Sequence, residues 1–203
     1  PTVKFNYHSA CTGSLTYFID KTIADGADIV AWDWSFGDPG SGGDNFSQEQ
    51  NPSHAYSSEG IYQVILIAED AHGCTDSDTV NIIVEPAPVA DFTADSVCIG
   101  QAMSFIDQSY SNGQPITSWY WEFGDGATST SANPSHTYAT AGAYDVLLVV
   151  ETAGQCSSEI VKTVQVHYLP TANFEWQGGI ACENDSTHFT DLSQPTGNAT
   201  INA

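Results

Sequence analysis

The sequence predicts an all-β protein, a tandem of β-sandwiches with about seven short strands in each. Two patterns lead to that class. Apolar residues alternate in short runs rich in Val, Ile, Tyr, Phe and Trp, as in Tyr62-Gln63-Val64-Ile65-Leu66-Ile67, and no segment has convincing helical periodicity. The whole pattern also recurs along the 203 residues.

Pro1, Pro88 and Pro170 each open the same series. Each leads to a Phe and then a Cys: Phe5 and Cys11, Phe92 and Cys98, Phe174 and Cys182. The next strand ends in an aromatic residue with Asp two positions later, as Phe18 and Asp20, Phe105 and Asp107, Phe189 and Asp191. In the first two repeats a Trp-x-Trp-x-Phe-Gly-Asp string follows, Trp32 to Asp38 and Trp119 to Asp125. Trp32, Trp34 and Phe36 fall on one face, with Asp33 and Ser35 on the other, which reads as a half-buried strand. Asn-Pro-Ser-His-x-Tyr comes next, Asn51 to Tyr56 and Asn133 to Tyr138. A Gly then opens a strand, Gly60 to Ile67 and Gly142 to Val149, and Cys74 or Cys156 lies beyond it. Between Gly-Asp and Asn-Pro the first repeat is longer, Pro39 to Gln50 against Gly126 to Ala132. Length variation confined to a Gly- and Ser-rich stretch marks a surface loop.

Domains are therefore expected at 1–87 and 88–169, with 170–203 the N-terminal part of a third, incomplete one. Short strands with turn signals between them indicate immunoglobulin-like sandwiches. Proline-containing linkers such as Glu85-Pro86-Ala87-Pro88 would join them into a semi-rigid rod. Residue 1 is Pro, which reads as a processed protein or a window from a longer one.

Charge narrows the partners. Three Lys and Arg against 25 Asp and Glu give a net charge of −22. Binding nucleic acid or anionic lipid needs clustered cations, so nucleic-acid partners are excluded. Membrane insertion is excluded as well, because no apolar run approaches the ~20 residues of a spanning helix. Divalent cations, basic proteins and neutral glycans remain as ligands.

Five cysteines fit one bridge per repeat: Cys11 with Cys74 and Cys98 with Cys156, each joining an early strand to a late loop. Cys182 holds the early position of the third repeat, unpaired by truncation. Each bridge would contribute roughly 4 kcal/mol by loop entropy, and paired cysteines indicate an oxidising compartment.

The strings Trp34 to Asp38, Trp121 to Gly126, Asn-Pro-Ser-His-x-Tyr and Gly-x-Tyr-x-Val (Gly60 to Val64, Gly142 to Val146) resemble, in that order, the polycystic kidney disease (PKD) domain. Pro39 replaces the second Gly of Gly-Asp-Gly in the first repeat. The resemblance implies a β-sandwich of extracellular proteins acting as spacer, adhesive module, or accessory domain beside a secreted hydrolase. One domain-one disulfide arrays are similar to those on secreted or surface proteins of gliding-type bacteria. The expected function is a non-catalytic structural or adhesive segment of a cell-surface protein or filament. Its partners would be other copies or neighbouring repeats of that protein, or extracellular glycans or proteins. The alternative is a substrate-positioning segment of a secreted hydrolase. Completion of the third repeat by a neighbouring subunit is a further option.

No catalytic constellation stands out. Asp38, Asp125, Asp20 and Asp107 recur because the fold recurs, and tight Phe-Gly-Asp turns favour Asp. His54 and His136 sit in the repeated turn, where the imidazole is expected to hydrogen-bond the backbone next to the tryptophan strand, and the six histidines lack zinc spacing. Trp34, Tyr56, Trp121 and Tyr138 complete the structural motif. Calcium, a cofactor not required by the fold, is a candidate for Asp20, Asp25 and Asp28 around Gly26, and more weakly for Asp107 and Asn112. The resemblance implies the same region, since some bacterial PKD domains bind calcium there. Tyr120 and Phe46 are candidate stacking platforms for sugars. Asn45, Asn184 and Asn198 head N-linked sequons, while Thr79, Ser96 and Ser186 lie in Asp-Ser/Thr strings that resemble a bacterial O-glycosylation signal.

Overall fold

The computed structural model describes residues 1–8, 10–177 and 187–194. The chain divides into two compact units: Pro1–Ala90 with Ser109–Trp119 and Val149–Glu159, and Asp91–Gln108 with Tyr120–Leu148 and the described residues from Ile160 onward.

The first repeat contains β1 (Phe5–Tyr7), β2 (Ala10–Cys11), β3 (Leu15–Asp20), β4 (Ile29–Ser35), β5 (Phe46–Ser47), β6 (Ser53–Ala55), β7 (Gly60–Asp70) and β8 (Thr75–Glu85), with a 3-10 segment, Pro39–Asn45, between β4 and β5. One sheet runs β1-β3-β6 and the other β2-β8-β7-β4-β5. Alternation decides which side chains go inward: along β7, Val64, Leu66 and Ala68 are buried while Gln63, Ile67 and Glu69 face out. The core between the sheets gathers Phe5, Phe18, Trp34, Phe36, Tyr56, Val64, Leu66 and Ile82. Trp34 is its centre, with Phe5 edge-on at 5.1 Å and Phe18 at 5.6 Å between ring centroids. Removing such a ring would cost about 3–5 kcal/mol.

The second repeat builds the same order from β9 (Phe92–Ala94), β10 (Val97–Cys98), β11 (Ala102–Asp107), β12 (Ile116–Glu122), β13 (Thr128–Ser129), β14 (Ser135–Thr137), β15 (Gly142–Thr152) and β16 (Ser157–His167). Its sheets run β14-β11-β9 and β10-β16-β15-β12-β13. Phe92, Phe105, Trp121, Phe123, Leu148 and Val166 are buried as their counterparts are. Beyond the second repeat, β17 (Phe174–Gln177) and β18 (His188–Asp191) pair as a two-stranded antiparallel sheet. Phe174 lies opposite Asp191 just as Phe5 lies opposite Asp20 and Phe92 opposite Asp107.

The expected cysteine pairing is corrected. Cys11 is bonded to Cys156, with Cα atoms 5.6 Å apart, inside the first unit, while Cys74 and Cys98 are free. Strand length is the reason. Cys11 lies beside Glu85 at the end of β8, whereas Cys74 precedes Thr75 at its start. An 11-residue strand separates them by roughly 33 Å, and a disulfide tolerates at most about 7 Å between Cα atoms. The same holds for Cys98, beside His167 at the end of β16, and Cys156 before its start. Cys182 lies outside the described residues.

Candidate functional site

The repeated strings converge on one polar-aromatic cluster per repeat, and each residue type has a reason to be there. Gly37 has φ +71°, and a Cβ on it would sit 2.5 Å from the Gln63 carbonyl oxygen. Gly124 has φ +81° and would meet the Asp145 oxygen at 2.6 Å. Only glycine fits both the left-handed backbone and the close approach. That turn aims the following Asp at the histidine of the Asn-Pro-Ser-His string: Asp38 Oδ2 lies 3.2 Å from His54 Nε2, and Asp125 Oδ2 lies 2.7 Å from His136 Nε2. Each imidazole stacks on the preceding Phe, Phe36 with His54 at 4.6 Å and Phe123 with His136 at 4.4 Å.

The rest of the string is equally occupied. Asn51 Oδ1 accepts from the Asp20 amide and Asn133 Oδ1 from the Asp107 amide, both at 2.9 Å. Pro52 and Pro134 carbonyls accept from the Phe18 and Phe105 amides. The Tyr56 hydroxyl donates to the Phe36 carbonyl and Tyr138 to that of Phe123, each at 3.0 Å. Burial, with the charge of Asp38 or Asp125 nearby, pushes both phenols above their usual range. The indoles of Trp34 and Trp121 donate to the Glu49 and Ser131 carbonyls. Trp34, Asp38, His54, Tyr56, Trp121, Asp125, His136 and Tyr138, expected from the sequence as structural residues, lie together here, but each imidazole meets an aspartate carboxylate and not the backbone as expected.

The first repeat adds a cover. Asn45, at the end of the 3-10 segment, is buried, and its Oδ1 accepts from the Asp38 amide at 2.6 Å. Burial speaks against a glycan at the Asn45 sequon, because Nδ2, the atom that would carry it, belongs to a residue only 7% exposed. Beside the cover lies a cleft of about 410 Å³ lined by Leu15, Phe36, Asp44, Phe46, Glu49 and His54. Phe46 is 63% exposed at its edge.

Other candidates are dispersed. Both oxygens of Asp20 are taken: Oδ1 by the Thr22 amide, Oδ2 by Trp32 Nε1 and Gln50 Nε2. Burial opposes ionisation of Asp20, but these bonds outweigh it and hold the carboxyl below its usual value. Asp25 accepts from the Thr2 hydroxyl, and the Asp28 carbonyl from the Ala71 amide. Asn112 is exposed. Among the described residues no three His, Cys, Asp or Glu side chains gather as metal ligands. Tyr120 is exposed, with its hydroxyl on Glu122. Thr79 is exposed on β8. Ser96 is exposed, its hydroxyl 2.8 Å from His167 Nε2. Asn184, Ser186 and Asn198 lie outside the described residues. The inter-repeat disulfide and the buried role of Asn45 were not anticipated; the only sequence sign of the latter was the extra length of its loop.

Among the described residues no helix is long and apolar enough to cross a membrane. The model of the PKD domain matches residues 1–84 and again 85–167. A microbial collagenase of Vibrio alginolyticus is 34% identical over 43% of this chain and 11% of its own length. Collagenase ColA of Bacillus cereus is 44% identical over 28% of this chain and 6% of its own. The chain thus spans about a tenth or less of these relatives. Among solved structures, the PKD1 domain of Vibrio cholerae metalloprotease PrtV is 35% identical, covering 39% of this chain and 96% of that one with a TM-score of 0.37. With two successive segments matched over most of its length, this chain belongs to the PKD domain family.

Proposed function

We propose that this chain is a non-catalytic segment of an extracellular protein, in which tandem PKD repeats provide structure and make contacts with proteins or carbohydrates. The observation that carries this reading is the use made of the reactive side chains. In both repeats the carboxylate, imidazole and phenol of the motif are consumed in holding the turn that builds them. What is left outward-facing in the first repeat is the cleft with Phe46 at its edge and Asp44 and Glu49 in its lining. An exposed ring beside carboxylates suits the apolar face of a neutral sugar or a basic peptide segment. Titration with soluble oligosaccharides and basic peptides tests it: a bound ligand should lose about tenfold in affinity with Phe46→Ala. Equal binding by that variant discards the cleft as the contact.

A second reading has its own support. Stretches of 34% and 44% identity to collagenases favour an accessory segment that positions a hydrolase on its polymer. Co-sedimentation of the chain with insoluble collagen would favour it, and a chain left wholly in the supernatant would count against it.

A further inference from the structure

The disulfide joins unlike positions of successive repeats, and the two free cysteines occupy those same two positions. Cys11 on β2 lies in parallel register with Glu85, and Cys98 on β10 in parallel register with His167. The following turns agree: the Ser14 amide donates to the Cys11 carbonyl at 3.2 Å and the Gln101 amide to that of Cys98 at 3.1 Å. The late positions agree as well. The Asp70 amide donates to the Cys74 carbonyl at 3.0 Å and the Thr152 amide to that of Cys156 at 2.9 Å. Asp70 Oδ1 and Thr152 Oγ1 accept from the respective cysteine amides. Cys74 is exposed and Cys98 half-buried. Beyond His167, β17 and β18 repeat the opening register of the earlier repeats.

We propose that the Cys11–Cys156 bond is one rung of a ladder, in which the early cysteine of each repeat bonds the late cysteine of the repeat that follows. Cys98 is then the half-site for the late cysteine of a third repeat. Cys74 is the half-site for the early cysteine of a preceding repeat. The occupant in each case is another PKD repeat of the same kind, because each free cysteine has the strand register or turn bonds of its bonded counterpart but is left more exposed. This inference is independent of the ligand-binding reading above. Each rung forms by exchange with a disulfide oxidant. One cysteine thiolate attacks the oxidant's S–S bond, the second displaces it from the mixed disulfide, and the oxidant leaves as a dithiol carrying both hydrogens and both electrons.

The test extends this chain past Ala203 with a copy of Trp119–Leu169, which follows Ile201-Asn202-Ala203 as Trp119 follows Ile116-Thr117-Ser118, completes the third repeat and supplies a late cysteine. Free thiols are blocked with N-ethylmaleimide and the protein is mapped without reduction. The expected cross-links are Cys11 to Cys156 and Cys98 to the added cysteine, with Cys74 and Cys182 alkylated. A bond from the added cysteine to Cys182, or Cys11–Cys74, or Cys98–Cys156, overturns the ladder, and so does an added cysteine that stays alkylated. Cys98→Ser should render the added cysteine fully reactive; one that remains oxidised in that variant also overturns it. To guard against misfolding of the added segment, the chain without the extension is mapped in the same way: Cys11–Cys156 is expected with Cys98 alkylated, and Cys11–Cys74 or Cys98–Cys156 refutes the proposal.

Discussion

Asp38–His54 and Asp125–His136 are the same pair built twice, yet only the first is sealed. The side chains of His54 and Asp38 are 3% and 11% exposed, those of His136 and Asp125 17% and 27%. Strand geometry does not make this difference, since the glycine turn, the stacked Phe and the tyrosine bond agree between the repeats. The loop does. Pro39–Asn45 folds over the first pair and places Asn45 on the Asp38 amide, whereas in the second repeat the shorter turn leaves Asp125 Oδ1 accepting from the Ala127 amide. One scaffold thus gives the same two side chains a dry setting and a wet one.

The largest effect should be common to both repeats. Gly37→Ala and Gly124→Ala each force a side chain into a left-handed backbone and against a carbonyl, at a cost of about 3 kcal/mol. Urea unfolding followed by tryptophan fluorescence should show comparable losses; a mild loss in either would mean that the two turns are not equivalent. Next come the changes that should differ between repeats. Asp38→Ala strands a buried imidazole and is expected to cost about 3 kcal/mol, while Asp125→Ala, at a wetter pair, should cost under about 1. Asn45→Ala should cost about 2 kcal/mol by leaving the Asp38 amide buried without its acceptor. Equal losses for the two aspartates would show that the cover is energetically idle.

A third contrast concerns the residue opposite the histidine. Thr16 pairs with His54 and is buried with no partner for its hydroxyl, where the second repeat has the apolar Met103 opposite His136. Thr16→Val should therefore stabilise the first repeat, by about 1 kcal/mol, read as a higher urea midpoint with unchanged slope.

Acid should act through a smaller term. Burial opposes ionisation of Asp125, but the His136 bond and the Ala127 amide outweigh it and hold its carboxyl below the usual 3.8. A depressed folded pKa means that this stabilisation is complete above the ordinary carboxylate range and is lost as pH falls through the folded value. Melting midpoints between pH 5 and 2 should fall, and Asp125→Asn should flatten that fall; an unaltered profile in the variant would contradict the assignment. Smallest of all is calcium. Because both Asp20 oxygens are already engaged, millimolar calcium should leave the melting midpoint nearly unchanged, and a rise of several degrees would reinstate the Asp20–Asp28 loop as a site.

Much of this was legible from the sequence. Alternation announced β4, β7, β12 and β15, and duplication marked the Trp, Phe-Gly-Asp and His-x-Tyr strings as structural, but that the imidazoles meet the aspartates and not the backbone was not legible. The cysteine partners were not legible, because one early and one late cysteine per repeat are counted identically whether they bond within a repeat or across two. Only the length of β8, with β2 docked at its far end, separates the alternatives, and β2 is two residues long with no pattern of its own. The burial of Asn45 was not legible for a related reason: a three-residue sequon carries no information about whether its loop folds back over a carboxylate.

The Cys11–Cys156 bond also determines how the protein would respond to tension. Its two cysteines are 145 residues apart in sequence, so a pull on the chain ends passes from Cys11 through two sulfur atoms to Cys156 and bypasses nearly everything between. That bypassed stretch has a contour of roughly 490 Å, none of which can be paid out while the bond holds. In a single-molecule pulling experiment the missing length should appear only after reduction, so the redox state of one bond acts as the length limiter of the tandem.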